Sequence, residues 1–118
     1  MQETCDTLAS LAERWKKVSL QDRAEGWNTE WLSTIELGFQ LDVARAMAHS
    51  ALERRESRGA HQRLDEFKTR DDVKYLKHTL ATYAGDAAPK IGYSDVTITR
   101  SAPAERVYGG AAKESSHA

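Results

Sequence analysis

Apolar residues recur at spacings of three and four in two stretches of the chain. Leu8, Leu11, Trp15 and Val18 form the first stripe, which predicts an amphipathic helix over about 4–18. Glu13, Arg14, Lys16 and Lys17 fall off that stripe, and the basic pair suits the negative end of a helix dipole. The polar run Gln21–Gly26 breaks the pattern and reads as a loop. A longer helical signal follows over about 28–57. Asn28 or Thr29 is placed to cap it, with Glu30 in the favourable first turn. Leu32, Ile35, Phe39, Val43, Met47 and Ala51 make its stripe, with Leu41, Ala44, Ala48 and Leu52 beside it. Gly38 costs about 1 kcal/mol against Ala inside a helix, so a kink or a break into two helices is expected there. The alanines at 44, 46, 48 and 51 permit close approach of another helix.

After Gly59 the period changes. From Val73, the residues Leu76, His78, Leu80 and Thr82 alternate with Lys77, Thr79, Ala81 and Tyr83, the two-residue repeat of a strand. Gly85, Asp86 and Pro89 punctuate the run, and Ile91, Tyr93, Val96 and Ile98 form a second extended stretch. A β-hairpin over about 73–99 is the simplest reading. The expected fold is mainly α: a small antiparallel bundle of about three helices followed by a C-terminal hairpin or extended segment. One domain is expected over 1–110, with a disordered tail over 111–118.

Composition narrows the function classes. The chain has 118 residues, the size of one domain. With 17 basic and 18 acidic residues it carries a net charge of −1, which argues against binding nucleic acid through bulk charge. No apolar run reaches the ~20 residues of a membrane span. The single cysteine, Cys5, excludes a disulfide framework or a Cys-ligated cluster within the chain and is expected at a frayed N-terminus. Glycine-rich phosphate loops and a glycine-flanked serine nucleophile are absent, and the four histidines lack metal-ligand spacing.

The stretch Glu53–Lys77 holds eight basic and six acidic residues, the densest charge in the chain. It reads either as an ion-paired contact surface or anion site around Arg54, Arg55, Arg58, His61 and Arg63, or as the solvated end of a helix and its loop. Within it, Gly59 is placed to accept the positive φ that ends a helix, swinging His61 back across the helix end. Arg58 and His61 then lie together, with Glu56 nearby. His49 is expected on the polar helix face. Trp15 fits the core stripe, and Trp27 and Trp31 flank a helix start as a hydrophobic staple does.

The order of several segments then becomes specific: Asn28-Thr29-Glu30, Thr34-Ile35-Glu36-Leu37-Gly38, Ala48-His49-Ser50-Ala51, Glu56-Ser57-Arg58-Gly59-Ala60-His61, Arg70-Asp71-Asp72 and Leu76-Lys77-His78-Thr79-Leu80. Together they resemble the C-terminal region of the flavoprotein subunit of fumarate reductase and succinate dehydrogenase, from about Leu8 to Gly110. Gln62–Glu66, Tyr93–Val96 and Arg106–Gly110 are more similar to the bacterial fumarate reductase version. The resemblance implies a parent oxidoreductase of anaerobic electron transport that interconverts fumarate and succinate with covalently attached FAD. It implies as partners the flavin-binding domain of the same subunit and an iron–sulfur subunit, with membrane contact only through anchor subunits, on the cytoplasmic face.

The flavin and dicarboxylate sites of that family lie upstream of the matched region, so this chain is expected to carry no cofactor, no metal and no catalytic residue, and to be inactive alone. It is read as an excised helical domain, with Met1 an added start. Glu56, Ser57, Arg58, Gly59, His61 and Arg63 are expected to form a structural or interface motif. The alternatives are the same domain of succinate dehydrogenase or L-aspartate oxidase, or a free-standing helical interaction module.

Overall fold

The computed structural model describes residues 1–104. The order of elements is helix α1 (Gln2–Trp15), helix α2 (Thr29–Glu53), a single turn of helix α3 (Asp72–Tyr75), and strands β1 (Lys77–Thr82) and β2 (Lys90–Asp95). The mainly α architecture with a C-terminal hairpin agrees with the sequence pattern. The segment Arg106–Gly110 and the tail expected over 111–118 lie outside the described residues.

Helix α1 starts earlier than its stripe implied and buries Cys5, which is 3% exposed and therefore part of the small core, not of a frayed end. Burial, with the neighbouring Asp6 charge, pushes its thiol pKa up. Backbone turns through Lys16–Val18 close the helix at Trp15.

Helix α2 opens where the sequence placed its cap. The Asn28 side chain accepts the Trp31 N–H at 2.8 Å. The helix then runs unbroken through Gly38 to Glu53. The expected break is absent because Gly38 serves packing. A Cβ at that position would stand 2.5 Å from Cζ2 of Trp15. The bare backbone lets the Trp15 indole lie directly on α2, where its N–H donates to the Thr34 carbonyl at 2.7 Å. The third helix is instead the short α3, capped by Asp71, whose carboxylate accepts the Val73 and Lys74 N–H groups.

Strands β1 and β2 pair antiparallel, Lys77 opposite Asp95 through Thr82 opposite Lys90. A two-stranded sheet is marginal alone, and two cations tie its connecting loop to the helices. Arg45, buried on α2, donates to the Asp86 and Ala87 carbonyls at 2.9 and 2.7 Å. Lys16, the residue that caps α1, pairs with the Asp86 carboxylate at 2.6 Å.

Two expectations about burial fail. Leu41, Arg45 and Ala48 are the buried residues of α2, whereas Phe39, Val43 and Met47 are 67%, 60% and 69% exposed. Apolar residues lie on opposite sides of this helix, so periodicity identifies a helix without saying which side α1 covers. Trp27 and Trp31 do not form a covered staple. Trp27 is fully exposed at φ 58°, and Trp31 is more than half exposed.

Candidate functional site: an ion-pair knot at the end of α2

The segment after α2 is organised around Glu56, the one large side chain with no solvent exposure among the described residues. Helix α2 ends at Glu53, before the expected boundary at 57, because Arg54 leaves in an extended conformation. That step aims the Arg54 side chain into the protein. Its guanidinium pairs with the Glu56 carboxylate, donates to the Tyr75 carbonyl at 3.0 Å and the Lys77 carbonyl at 2.5 Å, and reaches Thr79 Oγ1 at 3.2 Å. One arginine thus joins the helix end to the first strand.

Arg58 approaches Glu56 from the other side. Its Nε donates to Oε1 at 2.8 Å and its Nη2 to Oε2 at 3.0 Å. The Asp71 backbone N–H completes the set at 2.8 Å. Arg58 also pairs with Asp72 at 2.6 Å, and Asp72 in turn takes Arg70 at 2.8 Å. Burial pushes the Glu56 carboxyl up, but the Arg58 hydrogen bonds, the Asp71 N–H and the Arg58 and Arg54 guanidinium groups outweigh it. Its pKa falls below the ordinary carboxylate value. The hydrogen bond from Arg58 likewise lowers Asp72. Glu56 is therefore a paired anion held by four donor groups, with both oxygens saturated.

Gly59 has the positive φ that the sequence anticipated, at 58°, in a different role. It makes no helix cap. Arg58 and His61 exchange both backbone hydrogen bonds, at 2.8 and 3.0 Å, across a two-residue turn. Positive φ at the first turn position with a normal second residue, Ala60, is the type II′ pattern. The turn returns His61 to the helix end, where its Nε2–H donates to the Arg54 carbonyl at 3.1 Å. Ser57, also buried, donates to the Phe67 carbonyl and accepts the Arg63 N–H, at 2.9 and 2.8 Å.

Arg63 finishes the cap. Its Nη1 donates to the Ala51 and Leu52 carbonyls at 3.1 Å each, while Asp65 neutralises the far side of the guanidinium at 2.5 Å. The Tyr75 hydroxyl takes the Glu53 carbonyl at 3.4 Å. Helix α2 has no basic residue in its last turn, and the loop supplies one from ten residues further along the chain. This satisfies carbonyls that a helix leaves open and sets positive charge at the negative end of the dipole.

All six residues expected to act together, Glu56, Ser57, Arg58, Gly59, His61 and Arg63, fall in this knot. Arg55 stands apart, exposed with its guanidinium 5.9 Å from the Phe67 ring, and His49 lies half-exposed on α2 outside the knot. Asp71, Asp72 and Tyr75 join the knot as well, although the sequence marks the first two only as part of the segment Arg70-Asp71-Asp72. The Asp71-Asp72 pair ahead of an apolar residue is a helix-start signal that was available; Tyr75 gave none.

No oxygen of Glu56 remains free to act as a base, and the arginines are committed to carboxylates and carbonyls. Chemically the arrangement is a fastening. Among the described residues, no helix is long and apolar enough to cross a membrane.

The Succ_DH_flav_C model, described as fumarate reductase flavoprotein C-term, matches residues 1–108. The chain belongs to this family. It is 62% identical over 113 residues to the fumarate reductase flavoprotein subunit of Proteus vulgaris, covering 95% of this chain and 19% of that protein. Its structure is similar to that of a FrdA variant from E. coli quinol fumarate reductase, with a TM-score of 0.86 at 57% identity, over 94% of this chain and 19% of that one. The succinate dehydrogenase flavoprotein subunit of Rickettsia felis matches at 32% identity over 92% of the chain. The chain thus has the fold of this C-terminal family and spans about a fifth of the length of these relatives.

Proposed function

We propose that the chain serves as the packing domain of the flavoprotein subunit of a quinol-linked fumarate reductase, and that the whole subunit interconverts fumarate and succinate with FAD. The observation that carries this reading is the high identity to fumarate reductase flavoprotein subunits, about twice that to a succinate dehydrogenase. FAD is assigned to the remainder of the subunit, because the groups described here do not fit it. The positive-φ glycines, Gly59 and Gly85, sit between paired strands or backbone turns and not between a strand and a helix. The start of α2 is already occupied by its own Asn28 side chain, so it presents no open cradle for a pyrophosphate.

In this reading the domain borders the flavin-binding domain and the iron–sulfur subunit, at the cytoplasmic face of the membrane. The Glu56 knot gives the bordering edge its rigidity. Arg58, Arg70 and Asp72, already paired among themselves, remain partly exposed on that edge.

A chimera tests the reading. This chain replaces the matching C-terminal residues of the Proteus vulgaris subunit, which is co-expressed with its own partner subunits. The chimera is expected to bind flavin and reduce fumarate with a reduced viologen, and the isolated chain to do neither. A chimera without flavin, beside a flavin-loaded parent, refutes the assignment; so does fumarate turnover by the isolated chain.

A further inference from the structure

Helix α1 is attached more lightly than the other elements are to one another. Of its 14 residues only Cys5 is buried, with Leu8, Ala12 and Trp15 half-buried along the same stripe. One side-chain hydrogen bond crosses from it to α2, the Trp15 N–H to the Thr34 carbonyl. The ion pair just past its end, Lys16 with Asp86, reaches the hairpin loop, but both partners face solvent and such a pair holds little. The seam is also underfilled. A cleft of about 330 Å3 opens there, lined by Ala9, Ala12 and Trp15 of α1 and by Ile35 and Leu41 of α2. Empty volume beside small residues forfeits the dispersion contacts that hold a helix firmly.

The rest of the chain is fixed without α1. The loop that follows it is pinned to α2, because the Glu30 carboxylate accepts the Gln21 and Asp22 N–H groups at 3.1 and 2.7 Å. The Asn28 amide closes the same loop through the Asp22 and Ala24 carbonyls. Arg45 of α2 holds the hairpin loop, and Arg54 with Glu56 holds the first strand to the helix end. Between the last turn at Val18 and the pinned Gln21, Ser19 and Leu20 make no hydrogen bond among the described residues. Rotation at those two residues moves α1 as a body and breaks only its own seam.

We propose that α1 is a hinged strap, released from α2 as one unit about Ser19 and Leu20 while the knot, the hairpin and the pinned loop stay closed. Trp15 is its latch. The ring lies on the bare backbone of Gly38, and once it lifts, only Cys5 and a half-buried stripe hold the helix. Such a release is a local opening, easier than unfolding of the whole domain. The device belongs to this chain and needs no partner subunit.

Cys5 reports the release, because it is the one cysteine of the chain and is shielded while α1 is docked. Its alkylation by excess iodoacetamide, without denaturant, is compared between the wild-type chain and two variants. Trp15→Phe removes the latch bond and part of the ring, and is expected to speed alkylation about tenfold. Glu56→Gln raises the globally unfolded fraction about a hundredfold. It is nevertheless expected to leave the alkylation rate within about twofold of wild type, because the knot is closed in the docked and the released states alike. Arg63→Ala loosens the knot less and replaces Glu56→Gln, with the same expectation, if that variant does not fold.

Alkylation that accelerates in the knot variant in step with its loss of stability overturns the proposal, since Cys5 is then reached only by unfolding of the whole domain. An unchanged rate in Trp15→Phe overturns it too. Fraying of the first turn of α1, far from Trp15 along the helix, would then be enough to expose the thiol.

Discussion

Replacing Glu56 by Gln is the most searching test of the knot. The substitution keeps the shape and removes one charge. In the wild-type protein the two carboxylate oxygens accept from Arg54, from two nitrogens of Arg58 and from the Asp71 N–H. A glutamine offers one accepting oxygen, and its NH2 must face two of those donors in either orientation. Two guanidinium groups also lose their buried counter-ion. Removing one partner of a buried pair costs about 3–5 kcal/mol. Arg58 keeps Asp72, and Arg54 keeps two carbonyls, which places the expected loss near the lower end, about 3 kcal/mol.

Urea unfolding followed by far-UV circular dichroism measures the loss as a shift in midpoint at unchanged slope. The pH dependence gives a second, independent reading. The folded pKa of Glu56 lies below its ordinary value, so its contribution is fully present above the unfolded value near 4.3 and disappears as pH falls through the folded value. The Glu56→Gln variant should therefore lose less stability than wild type between about pH 5 and pH 2. A loss below about 1 kcal/mol at pH 7, together with an unchanged acid limb, would show that the pair merely breaks even with solvation and that the reasoning is wrong.

Three further outcomes follow from the same structure. Gly38→Ala gains about 1 kcal/mol of helix propensity but must displace the Trp15 ring and its bond to Thr34, so a net loss of about 1–2 kcal/mol is expected; a stabilised variant in a thermal melt would contradict it. Arg63→Ala uncovers the Ala51 and Leu52 carbonyls and should cost about 1–2 kcal/mol, with faster hydrogen exchange in the last turn of α2; unchanged exchange there would refute the cap. Trp27→Gly releases the one non-glycine residue at positive φ among those described and touches no core contact, so the chain should gain about 0.5–1 kcal/mol, read as a higher melting temperature.

The parts of this fold that could be read from sequence are those decided locally. Asn28 announces the start of α2 through its own side chain, and Gly59 announces a positive φ because no other residue type takes one so readily. The nearness of Glu56 to Arg58 followed from two residues of spacing. What could not be read depends on partners distant in sequence. Gly38 is neutral until Trp15, on another helix, lies over it. Arg54 resembles any surface arginine until the chain turns extended and brings it to Tyr75 and Lys77. The buried side of α2 was misread because both sides are apolar, and a periodic pattern has no means of ranking two equivalent faces. Trp27 was expected under cover because it stands ahead of a helix start, where a staple residue packs; its exposure is set by a loop closed without it, through Asn28 bonds to the Asp22 and Ala24 carbonyls.

The cap that the loop builds for α2 has a kinetic meaning. Ala51, Leu52, Glu53 and Arg54 present their carbonyls to Arg63, Tyr75 and His61, so the last turn of the helix has no complete set of bonds until residues 54–75 are in place. Helix end and loop must open and close as one cooperative unit, with a common opening free energy for their amides. While the ribosome has released the chain only as far as residue 53, α2 has an unfinished end, and its last turn is satisfied only once Tyr75 has emerged.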